Sequence, residues 1–343
     1  MTSEKWPHAL LVNDIHIGKD TILEFHTNWN EALEVCQRMG IQEIVIGGDL
    51  WQSRSSQTLP VLLAVRQAIL KATQLGIEIV IAEGNHCKID QESILGYSHI
   101  FDHYPNVSVI DDFIIEDMDG GLVLAVMSYF PENGSFINKL NELKATENPA
   151  NTILYIHEGI NGALAQNSDK ELSASVFKPF RKVLVGHYHD RCKVGENIEY
   201  IGASRQHNYG EDEKKGYTVL FSDGSTQFVQ NQVNVRYATI TVTPDNISSA
   251  KEKIEKLIQD GVKIKVKVEC HTDEVPAINK QTLLEMGVSK VEVKTETISV
   301  ESAAQAISTK YDKAGIKNEY INFCHKKEID DIETGLQYLD KIN

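Results

Sequence analysis

Five short segments of the chain run from an apolar stretch straight into aspartate, asparagine or histidine. LLVNDIHIG carries Asp14 and His16, IVIGGDLWQ carries Asp49, IVIAEGNHC carries Asn85 and His86, ILYIHEG carries His157, and VLVGHYHD carries His187 and His189. Taken singly, Asp14 or Asn85 reads as a turn or helix cap, and His157 as an ordinary core histidine. Five of the twelve histidines fall in these segments, and all sit where a strand ends. Open α/β sheets gather their functional groups at the carboxyl ends of strands, so the set reads as one site. Within Asp14-Ile15-His16 and His187-Tyr188-His189 the polar groups lie two apart, which in an extended segment turns both side chains to one face.

Asp14, His16, Asp49, Asn85, His157, His187 and His189 offer two carboxylates, one amide oxygen and four imidazoles, with no thiolate. Mixed nitrogen and oxygen donors suit Mn²⁺, Fe or Zn²⁺ rather than soft-metal or iron-sulfur chemistry. Seven candidates are too many for one ion and match two, with Asp49 the natural anionic bridge. A metal pair can activate water, hold a phosphate oxygen and stabilise the charge of an in-line displacement at phosphorus. Cys87 is read as a small packing side chain. His26, His99, His103, His207, His271 and His325 follow no strand-end pattern and are read as surface or packing residues, though His207 lies in the stretch IGASRQHNYG near the expected site.

The elements that must position these groups are legible in the apolar pattern. ALLVN, EIVIGG and IEIVIAEG read as strands, separated by helical patterns over WNEALEVCQRMG, closed by Gly40, and TLPVLLAVRQAILKATQLG, closed by Gly76. This alternation predicts crossover units and a largely parallel sheet covered by helices. Beyond residue 105 strand-like runs follow in quick succession and predict a second sheet packed on the first. Near residue 235 a β-α-β-α-β pattern restarts and fits a small second domain. The stretch from Ser299 to Asn343 reads as two helices around GIKNEYIN.

In this order, DIH, GGD, GNH, a lone strand-end histidine and GHYH resemble the five motifs of the calcineurin-like metallophosphoesterases. The nearest likeness is to the SbcD-type nuclease subunit of the double-strand-break repair complex, including the recombination endonuclease subunit of T-even phages; IEYIGASRQHNYGEDEKKGYTVL resembles the stretch after the last metal motif. The resemblance implies a four-layer α/β/β/α sandwich over residues 1–235, a βαβαβ capping domain over 236–298 and a helical tail over 299–343. It implies one metal held by Asp14, His16, Asp49 and His189, a second held by Asp49, Asn85, His157 and His187, and His86 as the group that meets the scissile phosphate. It also implies two Mn²⁺ ions, DNA as substrate, an SbcC-like ABC-type ATPase as partner through the helical tail, and a homodimer. The chain departs from the family pattern at Cys87, where an acidic residue is usual, and at Gln52, where aspartate or histidine is frequent.

Length and composition bound these expectations. The 343 residues exceed one ordinary domain, and 41% hydrophobic with 24% charged residues is globular composition. A net charge of -15 argues against broad charge-driven binding to nucleic acid or an anionic membrane, though bound divalent metals create a positive site inside an acidic protein. Five scattered cysteines with no C-x-x-C pair predict reduced thiols and a cytoplasmic setting, and no apolar run is long enough for a signal-peptide core or a membrane span. Lys251, Lys253, Lys256, Lys263, Lys265 and Lys267 read as a solvated face rather than a DNA-contacting one. Two rival functions stay open: a phosphodiesterase on nucleotides or other small phosphoesters, and a metal-binding scaffold subunit with weakened turnover.

Overall fold

The computed structural model describes residues 5–88, 95–130, 135–166, 168–272, 274–295, 313–327, 329 and 331–341. The chain divides into two compact units, residues 1–239 with 253–265 and residues 240–252 with 266–343.

The first unit begins with the predicted alternation: β1 (Pro7–Val12), α1 (Ile22–Met39), β2 (Glu43–Gly47), α2 (Leu59–Gln74) and β3 (Glu78–Ala82). Gly40, at φ 70°, ends α1 in the left-handed conformation that glycine adopts without strain. There follow β4 (Val107–Ile110), β5 (Phe113–Asp117), β6 (Val123–Met127), α3 (Ser135–Thr146), β7 (Thr152–His157), β8 (Lys182–Gly186), β9 (Cys192–Val194), β10 (Ile198–Tyr200), β11 (Gly216–Phe221) and β12 (Thr226–Gln230). Helix α3 was not expected from the sequence.

These strands form two six-stranded mixed sheets, ordered β12-β11-β1-β2-β3-β4 and β5-β6-β7-β8-β10-β9. Strands β1 to β4 run parallel, as do β6, β7, β8 and β10. The later strand-like runs therefore do not all build the second sheet. β4, β11 and β12 complete the first, with β11 antiparallel to β1.

The parallel strands read as unbroken apolar runs because both faces are covered. On one face Leu10, Val12, Ile44, Ile46, Ile79 and Ile81 cluster with Phe25, Trp29 and Leu33 of α1 and Val61, Val65 and Ile69 of α2. On the other, Ala9, Leu11, Val45 and Val80 share a buried cluster with Leu124, Val126, Ile153 and Tyr155 of the second sheet. Ala125, Leu154, Ile156 and Val183 then pack with Phe136, Leu140 and Leu143 of α3. Each such side chain contributes about 1.5–3 kcal/mol by leaving water, which fixes the strand ends that carry the polar groups.

A third sheet, ordered β13-β14-β15, is built from β13 (Tyr237–Val242), β14 (Lys263–Cys270) and β15 (Lys290–Thr295), with helices α4 (Ile247–Gln259) and α5 (Lys280–Glu285) between them. In β14 the buried Ile264, Val266, Val268 and Cys270 alternate with Lys263, Lys265 and Lys267, the pattern of a strand buried on one face. Helices α6 (Lys313–Lys326) and α7 (Ile332–Lys341) follow. GIKNEYIN lies inside α6 rather than between two helices, and the expected start of the tail at Ser299 falls outside the described residues. Among the described residues no helix is long and apolar enough to cross a membrane.

Candidate metal centre

All eight residues singled out by the strand-end pattern lie in the first unit, just past the ends of β1, β2, β3, β7 and β8. His16, Asp49, Asn85, His86, His187 and His189 line one cleft of about 300 Å³ together with Thr21, Gln52, Arg205 and His207. Asp14 and His157 are buried behind it.

The donor atoms converge closely. Oδ1 of Asp14 is 3.9 Å from Nε2 of His16, of His157 and of His189. Oδ2 of Asp49 is 3.6 Å from Nε2 of His16 and 3.4 Å from Nε2 of His157, so both carboxylates face both of these imidazoles. Nε2 of His16 and Nε2 of His189 are 3.2 Å apart. One end of the Asn85 amide lies 3.3 Å from both Oδ2 of Asp49 and Nδ1 of His187, while the other end meets the Arg54 guanidinium. That amide can turn its NH₂ or its oxygen inward, and the oxygen is the end that suits a cation.

Backbone strain marks the same residues. Among the described residues, the non-glycine positions with positive φ are Asp14 (50°), His16 (47°), Asp49 (48°) and His187 (89°). A left-handed backbone costs a substituted residue on the order of 1–3 kcal/mol and persists only where the surroundings impose it. Asp14 and His16 therefore do not alternate along an extended strand as their spacing predicted; they are brought to one point by a tight, strained loop. Close approach explains the glycines of GGD and GNH: a Cβ on Gly48 would stand 2.2 Å from Nδ1 of His157, and one on Gly84 2.2 Å from Oδ1 of Asp49.

A layer of hydrogen bonds holds the donors. Nδ1 of His157 donates to the Gly47 carbonyl at 3.0 Å, which leaves Nε2 facing the carboxylates. Asn13 donates to Oδ2 of Asp14 at 2.5 Å and accepts from the Tyr155 hydroxyl at 2.7 Å. The His187 backbone N–H donates to Asp14, and the His86 backbone N–H donates to Oδ1 of Asp49 at 2.8 Å. Nδ1 of His86 donates to the Gln52 carbonyl at 3.0 Å, so Gln52 acts through its backbone whatever its side chain. Cys87 is fully buried in the core; its Sγ accepts from the Gly84 N–H, and burial pushes its thiol far above the ordinary range. The segment holding it is a turn, not an extended run.

Electrostatics reflect this crowding. Burial alone would raise the Asp49 carboxyl, yet the imidazoles of His157, His16 and His86 hold it well below the usual carboxylate range. Burial opposes protonation of His157, but Asp49 and Asp14 overcome it and push that imidazole up to about 9. Burial and the neighbouring His157 lower His187 to about 4. Two buried carboxylates ringed by imidazoles thus rely on protons to balance charge, and a divalent cation does the same work better. Donor separations of 3.2–3.9 Å also match ligands sharing an ion at about 2.1 Å, so the residues fit metal binding.

Two contributors escaped the sequence pattern. Glu211 reaches Nδ1 of His189 at 2.8 Å, and His207, expected on the surface or in packing, lines the cleft with Nε2 donating to the Asp14 carbonyl at 2.7 Å. Arg205 braces the same loop by donating to the carbonyls of Ile15 and His16 while paired with Glu24. The only signal for any of them was their place in IGASRQHNYGEDEKKG.

No protein-family profile matches the chain, and no curated protein matches its sequence. Among solved structures the chain is similar to a nuclease of Pseudomonas putida, MPE, at 15% identity and a TM-score of 0.28, over 56% of this chain and 66% of that one. A likeness that slight carries no weight for fold or activity.

Proposed function

We propose that the protein is a dimetal phosphoesterase acting on DNA, a nuclease subunit of the SbcD type on a four-layer metallophosphoesterase sandwich, with Mn²⁺ as its metal. The observation that carries this is the position of Asp49, whose Oδ2 lies 3.6 Å from Nε2 of His16 and 3.4 Å from Nε2 of His157, one imidazole from each of the two ligand sets that the sequence resemblance implies. Asp14, His16, Asp49 and His189 would hold one ion; Asp49, Asn85, His157 and His187 the other. When bound, such a pair supplies Lewis acidity toward a phosphodiester and lowers the pKa of water.

The chain's own residues supply the rest. His86 is fixed through its backbone N–H on Asp49 and its Nδ1 on Gln52, so Nε2 is its free end, at the mouth of the cleft. In the imidazolium form Nε2–H can donate to a phosphodiester oxygen and then pass its proton to the leaving oxygen. Arg54, which lies beside Asn85, would offer a guanidinium to a phosphate. The residue 236–298 region would cap the substrate, the helical tail would seat an SbcC-like ATPase, and the subunit would pair with a second copy; these partners rest on the sequence resemblance.

One observation favours a second reading. With a net charge of -15, the surface as a whole is poorly suited to a long polyanion, which fits a phosphodiesterase on small esters. The purified full chain, loaded with Mn²⁺, should cleave labelled single-stranded DNA. Hydrolysis of a small aryl phosphodiester with intact DNA would replace the nuclease by the small-ester enzyme; cleavage of neither, with two metals bound, would leave a scaffold.

A further inference from the structure

A second convergence of metal-type donors lies at the opposite end of the same strands. His8 is the second residue of β1, Glu43 opens β2, and Glu116 sits near the end of β5 in the other sheet; one nitrogen and two carboxylate oxygens from the three lie within 4.8 Å of one another. The strand from His8 to Val12 alone spans roughly 13 Å at 3.3 Å per residue, with Asp14 beyond its end, so this group is distinct from the centre at the strand ends.

Three features set it apart from a chance meeting of side chains. The β1–β11 register slips between Pro7 and Ala9, a bulge centred on His8. Bulges re-aim a side chain, and this one brings His8 Nε2 to 3.8 Å from Oε2 of Glu116. That Nε2 is buried and has no hydrogen-bond partner. Third, among the described residues neither Glu43 nor Glu116 forms an ion pair with a lysine or arginine, and His8 is the one basic group paired with Glu116. Among the described residues one more imidazole–carboxylate group lies outside the centre, Glu83 with His99 and Asp111, and it differs because Lys88 Nζ lies 3.5 Å from Glu83.

Two carboxylates held together by facing sheets must share a proton or a cation. Burial and the adjacent Glu116 push the Glu43 carboxyl up to about 7, which expresses that conflict. We propose that His8, Glu43 and Glu116 form a divalent-cation site, best matched to Zn²⁺, that clips β1 and β2 of the first sheet to β5 of the second. One imidazole and two carboxylates make a three-ligand Zn²⁺ set. The side chains of His8 and Glu116 are 20% and 23% exposed, so the group lies near the surface although Nε2 of His8 itself is buried.

The test counts zinc on the full chain after stripping with chelator and dialysis against Zn²⁺ at pH 7.5. Wild-type protein should hold one ion per chain more than Glu116→Gln and than His8→Gln, whatever the centre holds, while both variants keep the wild-type circular dichroism and Mn²⁺-dependent phosphodiesterase activity. Equal zinc in wild type and variants overturns the site. A readout that needs no variant is anomalous diffraction at the zinc edge from wild-type crystals. A peak about 2.0–2.1 Å from His8 Nε2 supports the assignment, and a map with zinc at the centre but no peak at His8 removes it.

Discussion

Glu211 accepts a hydrogen bond from Nδ1–H of His189 at 2.8 Å, and thereby fixes which ring nitrogen of His189 faces Asp14. Glu211 also accepts from the His207 backbone N–H at 2.9 Å, so one carboxylate orients two rings of the centre. Burial works against the His189 imidazolium, but this bond and Asp14 raise its pKa above the ordinary value. Glu211→Gln keeps the shape and loses the charge. It should weaken metal binding at the His189 side by about 10–100-fold, read by calorimetric titration with Mn²⁺; unchanged affinity would reduce Glu211 to a loop brace.

His86 and Asp49 should separate cleanly by what they lose. Because His86 is half-buried on the cleft wall while Asp49 lies among the imidazoles, His86→Ala should retain both metals and lower phosphodiester cleavage by about 10²–10⁴-fold. Asp49→Ala should lose metal as well as turnover and leave His157 without its nearest carboxylate. Metal content and rate measured on the same preparations decide the matter, and wild-type rates in His86→Ala would take that residue out of the mechanism.

What the sequence made legible was local: an apolar run, its last residue and the polar group after it. Asp14, His16, Asp49, Asn85, His86, His157, His187 and His189 all follow that rule, and the structure brings them together. Three kinds of fact were not local. Glu211 and His207 reach the centre from a loop after β10, and no strand-end rule applies to a loop. The strained φ of Asp14, His16, Asp49 and His187 is imposed by surroundings that no spacing encodes. Strands β11 and β12 return to the first sheet from far along the chain, whereas sequence order placed every late strand in the second.

Cys87 stands where an acidic residue is usual in the resembling family, and reverting it tests whether that difference matters. Its side chain is fully buried, with Asp49 and Glu83 as charged neighbours. Cys87→Asp would bury a third carboxylate there, so it should destabilise the fold by about 2–4 kcal/mol rather than improve catalysis. Cys87→Ala should leave cleavage unchanged, and the native thiol should resist alkylation until the chain unfolds. Chemical denaturation and a labelling time course check all three; faster cleavage in Cys87→Asp would mean that the family's acidic residue acts from this position.

Glu43 provides a pH dependence with a definite sign. Its carboxyl rises from an ordinary 4.5 to about 7 in the native state, through burial and the nearby Glu116. A group whose folded pKa is raised favours the native state while it is protonated, so this stability is present below 4.5 and lost as pH climbs through about 7. In chelator, the wild-type chain should therefore be less stable at pH 8 than at pH 5.5 by about 1–3 kcal/mol from this group. Glu43→Gln should be the more stable protein at pH 8 and lose most of its advantage at pH 5. Added Zn²⁺ should restore wild-type stability at pH 8, because an ion between Glu43, Glu116 and His8 replaces the proton, and should do less for Glu43→Gln. Urea unfolding at the two pH values, with and without zinc, reads each of these differences, and a flat wild-type profile would show that Glu43 ionises freely in the folded chain.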